Sequence, residues 1–413
     1  MLDLFARSVA RPSRPLCLPL AALACLGGLP AAQTLGETST TKFVQEIRQS
    51  STFDFAQNFA VEGDRMAVSD GFDVTIYEQS PASDWQLLIE LNTTRIPSDL
   101  ELDAGTLAVG MNDGDSVEIF LRNLGGADAW GLSRTLTSPN PSSNPRFGHG
   151  VALEQDTLIV SALGDGEQSQ FETEGRVYVF DRNLGGFEQW GFVQEIVPPA
   201  NTYREFGRAI RLDGDLLAVS SLELMGDFEG RVLLYRNIGG TWTLEATLEG
   251  IAGFGRSLDL CGDRLVVGTP FDRSDLNFGG KVELFGRNVG GANAWGSIQT
   301  LFPSDPGPGD NFGWSVSLER NALAVSASQS TPDPLVHASI GTVWVFAERT
   351  NGAWVEDARL RRQPVNNVPE LFGWQVLLQG RDLYASDPGG GSHFVYRRAP
   401  RKNQSASTAV GTR

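Results

Sequence analysis

One unit recurs seven times along the chain, and this periodicity constrains the fold more than any single motif does. In its fullest copy Phe147-Gly148 opens an alternating run Val151-Ala152-Leu153, and Gln155-Asp156 turns it. Leu158-Ile159-Val160-Ser161 returns, Val177-Tyr178-Val179-Phe180 follows, and Trp190 leads a last run. Aligning the second run of each copy gives Ala67-Val68, Ala108-Val109, Ile159-Val160, Ala218-Val219, Val266-Val267, Ala324-Val325 and Tyr384-Ala385. The six steps from residue 67 to residue 384 average about 53 residues, the length of one four-stranded propeller blade. Helical repeats are excluded by chemistry. The periodic runs are short and alternating, rich in Val, Phe, Tyr and Trp, and bounded by Gly, Asn and Asp.

The two ends of the chain supply an independent argument. The seventh copy passes through Phe372-Gly373, Leu383-Tyr384 and Phe394-Val395-Tyr396 and has no Trp-led fourth run, whereas Phe43-Val44-Gln45-Glu46-Ile47 repeats Phe192-Val193-Gln194-Glu195-Ile196. The expected fold is therefore all-β, a seven-bladed β-propeller of four-stranded blades over residues 41–398, closed by an N-terminal strand that completes the last blade. Gly63-Asp64, Ala104-Gly105, Gly214-Asp215, Gly262-Asp263 and Gly380-Arg381 suit two-residue hairpin loops. The glycines after Phe147, Phe206, Phe254, Phe312 and Phe372 are expected where inner strands crowd near the axis. Phe120, Phe180, Tyr235, Phe285, Phe346 and Tyr396 read as core.

Ahead of the repeats, Arg7, Arg11 and Arg14 precede an apolar run from Leu16 to Leu29 and the small residues Ala31 and Ala32. Residues 1–32 are thus expected to be a secretory signal peptide and residues 33–40 a short linker, with lipoprotein processing at Cys25 as the alternative. The expected location is periplasmic, cell-surface or secreted. No later run reaches the eighteen apolar residues of a membrane span. Removing residues 1–32 takes the net charge from −17 to −19, which argues against nucleic acid as a partner. It also leaves Cys261 alone, so no intramolecular disulfide and no multi-cysteine metal site is expected, and the thiol reads as buried and inert. Residues 399–413 form a polar, basic tail with nothing to bury and are expected to be disordered.

Five Phe-Gly pairs, each ahead of an Ala-Val-Ser or Val-Val-Gly-Thr-Pro strand, together with Arg122-Asn123-Leu124-Gly125-Gly126-Ala127-Asp128-Ala129-Trp130 and Arg287-Asn288-Val289-Gly290-Gly291-Ala292-Asn293-Ala294-Trp295, resemble FG-GAP repeats of the exported bacterial type. The resemblance implies an integrin-α-like propeller. In integrin-like repeats the loop between first and second strands carries calcium-binding aspartates, but here that loop is as short as Gly214-Asp215 and cannot supply six to eight oxygens. No cofactor is expected. Calcium is left open only at Asp113-Gly114-Asp115 and Asp165-Gly166-Glu167.

His149, His337 and His393 are the whole histidine complement and lie at no ligating spacing. Phosphate-loop and hydrolase-elbow motifs are missing. The acids read as surface charge that favours solubility. The expected function is that of an exported, non-enzymatic, monomeric propeller that recognises a protein or glycan, basic or bridged by a cation. The alternative is a propeller enzyme, a polysaccharide lyase or hydrolase or a quinone dehydrogenase, with an axial site; its signature would be Arg, His, Tyr and a carboxylate at one mouth of the channel. Candidate partner-binding residues lie in the second-to-third-strand loops: Asp113, Asp115, Asp165, Glu167, Phe171, Asp227, Phe228, Phe271, Asp272, Asp275 and Phe278.

Overall fold

The computed structural model describes residues 41–48, 55–140, 142, 145–166, 174–200, 205–223, 228–274, 279–307, 309–329, 340–362 and 370–399. Residues 1–40, expected to be a presequence and linker, nearly all of the tail and His337 lie outside them. Among the described residues, alternating apolar runs form 28 strands in seven antiparallel four-stranded sheets. Blades 1 to 6 take residues 55–92, 99–137, 147–196, 210–250, 257–301 and 316–361, each in simple sequential order. Blade 7 combines Val376–Gln379, Asp382–Asp387 and Ser392–Arg398 with the N-terminal strand Thr41–Arg48. First strands touch the first strands of both neighbours and so ring the axis. No helix among the described residues is long and apolar enough to cross a membrane.

The closing strand pairs from Thr41 opposite Arg398 to Arg48 opposite Ser392. Its likeness to blade 3 extends to a bulge: Val44 is skipped between Phe43 and Gln45, as Val193 is between Phe192 and Gln194. Register shifts at this point of the third and fourth strands recur in every blade.

Apolar side chains from adjacent blades form the core. Val117 and Ile119 of blade 2, for example, pack with Phe147, Val160, Tyr178 and Phe180 of blade 3. Phe147 meets Tyr178 and Phe180 at 5.9 and 6.1 Å between ring centroids, and Phe312 meets Trp344 and Phe346 at 5.2 and 6.1 Å. The third-strand aromatics are buried as expected. The Phe-Gly glycine has a different reason from axial crowding. Gly148 has φ +89°, and a Cβ there would lie 2.4 Å from the Ser116 carbonyl oxygen of the preceding blade. Reciprocally, a Cβ on Gly175 would lie 2.3 Å from the carbonyl oxygen of Phe206 in the following blade. These glycines let one blade's entry turn sit against its predecessor's second and third strands.

Two further devices join the blades. Glu62, Asp103, Glu154, Asp213 and Glu319, each the last residue of a first strand, accept the backbone N–H of the next blade's hairpin at Ala104, Gln155, Gly214, Gly262 and Gly380, over 2.5–2.8 Å. These five carboxylates are blade-to-blade acceptors, which corrects the reading of the acids as solubility charge alone. On the outer strands the amides of Gln45, Gln194 and Gln299 each clamp both backbone groups of a Trp in the next blade, at Trp85, Trp242 and Trp354.

Candidate functional site at the axial mouth

Within an antiparallel blade the second-to-third connection and the exit to the next blade leave from the same end. That face also holds the entry turns, and the residues presented there line an axial cavity of about 530 Å³. The residue directly after each Phe-Gly pair reaches it: His149, Arg208, Arg256, Trp314 and Trp374 from blades 3 to 7, with Gln57 at the equivalent place in blade 1. The Ala-Val-Ser strands explain how these turns are held. The buried hydroxyls of Ser161, Ser220, Ser326 and Ser386 accept the amide N–H of Gly150, Ala209, Ser315 and Gln375, the residue one further on, at 2.9–3.1 Å. Ser69 does the same for Asn58 at 3.0 Å.

Charge at the mouth is positive, against the sign of the whole chain. Glu205 is buried between Arg208, at 2.8 Å, and Arg146, at 3.4 Å. The Arg256 guanidinium lies over Trp314, 4.4 Å from the ring centroid, and Trp314 meets Trp374 at 5.1 Å and 50°. Among the described residues the Arg256 guanidinium has no ion pair and no side-chain hydrogen bond. Burial, then the neighbouring Arg208, pushes its pKa down to about 10, with Glu205 opposing. Burial also pushes His149 down to about 3, reinforced by Arg208, Arg146 and Arg256, so its imidazole is neutral at pH 7. Its Nδ1 lies 3.4 Å from the Asn112 amide nitrogen.

Deeper in the channel the inner strands place Asp99, Glu101 and Asp259 around Arg211, whose Nε is 3.7 Å from an Asp259 oxygen. Asp99 and Asp259 also accept the Val151 and Leu318 N–H groups of the next blades. Burial raises Glu101 to about 8; Arg211 opposes this, and Asp99 and Asp259 add to it.

The residues singled out from sequence fall into three groups. Asp113 is exposed on the cavity rim, and Asp115 is partly buried in the adjoining turn. Asp165 and Asp272 are corrections to the picture of loop acids free in solvent. Asp165 is buried and accepts from Ser138, Ser142 and the Tyr178 hydroxyl, and Asp272 is buried against Ser274 and Lys281. Asp165 ties its loop to the connection from the preceding blade and to the third strand, and Asp272 folds its own loop. Phe228 and Phe271 pack on each other at 5.6 Å. Glu167, Phe171, Asp227, Asp275 and Phe278 lie outside the described residues. No group of three or more His, Cys, Asp or Glu side chains is arranged to hold a metal ion among the described residues. The Cys261 thiol is half-buried, and burial with the nearby Asp213, Asp259 and Glu319 raises its pKa, which suppresses the reactive thiolate.

Sequence reasoning missed Arg208, Arg256, Trp314 and Trp374. Their signal was there: one position, directly after Phe-Gly, changes from His to Arg to Trp while its frame stays fixed.

A model of the FG-GAP repeat matches residues 130–180 and 295–346, and no curated protein matches in sequence. Both windows run from a Trp leading a fourth strand to a third-strand aromatic in the next blade, so the sequence repeat is offset from the blade. Among solved structures, hydrazine synthase of Kuenenia stuttgartiensis superposes with a TM-score of 0.58 at 13% identity, covering 84% of this chain and 97% of that one. The WD40 propeller domain of Doa1 gives 0.55 at 10% identity over 89% and 99%. Saccharomyces cerevisiae Sqt1 gives 0.51 at 11% over 84% and 83%. At these identities the likeness is one of fold. The fold is a seven-bladed FG-GAP-type β-propeller.

Proposed function

We propose that this chain is an exported, non-catalytic recognition propeller that binds its ligand at the axial mouth. The observation that carries the reading is Arg256, a cation lodged on Trp314 beside Arg208, open to the cavity and without a direct ion pair among the described residues. A guanidinium in that setting favours an anion. This reverses the sign of partner expected from the acidic loops, because Asp165 and Asp272 are engaged internally. Export rests on the N-terminal charge and hydropathy pattern, and N-terminal sequencing of the protein recovered outside the cytoplasm tests it. A glycan array read with wild type and with the double variant Arg256→Gln, Trp374→Ala tests the site. Hits lost in the variant support the mouth; hits retained place binding elsewhere.

An axial enzyme is the second reading, favoured by Glu101, which is held protonated near neutral pH beside Asp99 and Asp259. That pairing suits acid catalysis on a glycosidic bond. The mouth itself is poorly equipped for base chemistry: an imidazole pushed to about 3 is a weak proton acceptor at pH 7. New reducing ends from an acidic polysaccharide, abolished by Glu101→Gln, would favour the enzyme.

A further inference from the structure

We infer that the axial mouth takes a sugar ring bearing a carboxylate, a uronate-type residue, with Arg256 and Arg208 holding the acid and Trp374 with Trp314 supporting the ring. The inference rests on the axial-mouth reading above and deepens it.

Three features narrow the ligand. First, Arg208 and Arg256 occupy the same position in adjacent blades, directly after Phe206-Gly207 and Phe254-Gly255. Of the two, among the described residues, Arg208 makes a direct ion pair, with Glu205, which it shares with Arg146, while Arg256 feels Glu205 only at longer range. Two neighbouring guanidiniums repel each other, and a two-oxygen anion between them relieves that repulsion with directed hydrogen bonds. Burial first, and then the charge of Arg208, lowers the pKa of Arg256.

Second, the cations sit in a cavity of about 530 Å³, a small-ligand size, and not along a groove. A polyanion such as nucleic acid needs an extended basic track, and the chain's net charge of −17 disfavours one. One or a few acidic residues fit the cup.

Third, the wall beside the arginines is aromatic and amide-lined. Trp314 and Trp374 form a corner at 5.1 Å and 50°, and Arg256 already covers Trp314, so Trp374 supplies the platform. The electron-rich face of an indole attracts the weakly positive C–H face of a pyranose. Asn58 and Asn112 line the same cavity and offer groups for hydroxyls. An acidic peptide would use the arginines and waste the platform. Serine hydroxyls hold the backbone of the entry turns that carry Arg208, Trp314 and Trp374 before any ligand arrives, which limits the ordering cost of binding.

The test is titration of the full chain, followed by tryptophan fluorescence and calorimetry, with tetragalacturonate, its methyl ester and tetraglutamate. The acid is expected to bind at least tenfold more tightly than the ester, since a hydrogen bond to a charged group carries that much. Arg256→Gln and Trp374→Ala should each weaken the acid about tenfold or more, and Arg256→Lys should recover part of the loss. Melting temperatures of the variants near that of wild type show that they are folded; a variant that melts far below is replaced by Arg208→Gln or Trp374→Phe. Equal binding of acid and ester, or no binding of the acid at millimolar concentration, overturns the uronate inference. Tetraglutamate binding as tightly as tetragalacturonate, with sensitivity to Arg256→Gln, also overturns it while leaving the mouth as a binding site. Binding of tetragalacturonate that ignores every mouth variant overturns the axial-mouth reading as well.

Discussion

His393 illustrates what a single residue can contribute to this ring. It has no solvent exposure, lies 4.4 Å from the Phe59 ring and 6.1 Å from Tyr384, and neither ring nitrogen has a hydrogen-bond partner among the described residues. Burial holds its pKa near 3, against 6.5 for a free imidazole. The unfolded chain therefore takes up a proton between these values that the folded chain refuses. Stability from this group is complete above pH 6.5 and is lost as pH falls toward 3, with a slope of about 1.4 kcal/mol per pH unit. Glu101 works the other way, because its raised pKa makes its share of stability greatest below 4.5 and lost as pH rises through about 8. Urea unfolding of wild type and His393→Leu at pH 7, 5 and 4 separates the two. The gap between the proteins should close or reverse in favour of the variant as the medium is acidified; a constant gap would show that the imidazole titrates normally. The histidine was legible in the sequence as a residue at the head of an aromatic strand. Its isolation was not, because that depends on Phe59, more than 300 residues away in the chain.

Elements in this protein are joined by acceptors that the local sequence disguises. The two-residue hairpins were legible because Gly and Asp have a backbone reason to be there, and Gly63, Gly214, Gly262 and Gly380 all have φ near +60°. The acid that stands just before five of the seven hairpins was misread as surface charge, since a solvated Glu and one that accepts a distant N–H are identical in one dimension. Glu154 is the cleanest case: it accepts from Gly214 at 2.7 Å across 60 residues of sequence. Removing such an acceptor leaves a partly exposed N–H to water, so Glu154→Ala should cost about 1 kcal/mol, and Glu154→Gln, which keeps the acceptor, less. The midpoint of urea denaturation measures both. If alanine and glutamine are equivalent to wild type, the carboxylates do not couple the blades. The bulge between third and fourth strands had no local signal. It is absorbed by Val44 in one blade, Val193 in another and Ile298 in a third, residues that any strand would accept.

The whole ring is closed by an offset that the sequence repeat and the structure share. Both FG-GAP matches start at a fourth strand and end at the third strand of the next blade, and the chain as a whole does the same, opening with Thr41–Arg48 and finishing with Ser392–Arg398. This was the most legible large-scale feature, because a displaced fourth strand leaves a visible gap at one end and a surplus at the other. Its mechanical consequence is that the seam between blades 7 and 1 cannot open by separating blades while the first strand stays with blade 1. Opening must also break the pairing of Thr41–Arg48 with Ser392–Arg398 or pull the connecting chain. A circular permutant tests this directly. Cutting between Arg48 and Phe55 and joining Arg398 to Thr41, which are already paired neighbours, gives a chain whose seven blades are each continuous. Side-chain contacts across the seam, including the Gln375 amide on Phe59 and Gln45 on Trp85, are retained. The native state keeps its interactions, yet the seam loses its covalent interlock, so the permutant should unfold faster than wild type while differing less in equilibrium stability. Hydrogen exchange should then find the first strand of blade 1 and the first strand of blade 7 among the earliest to open. Equal unfolding rates for the two proteins would mean that the seam is held by packing alone and that the strand exchange contributes nothing to kinetic stability.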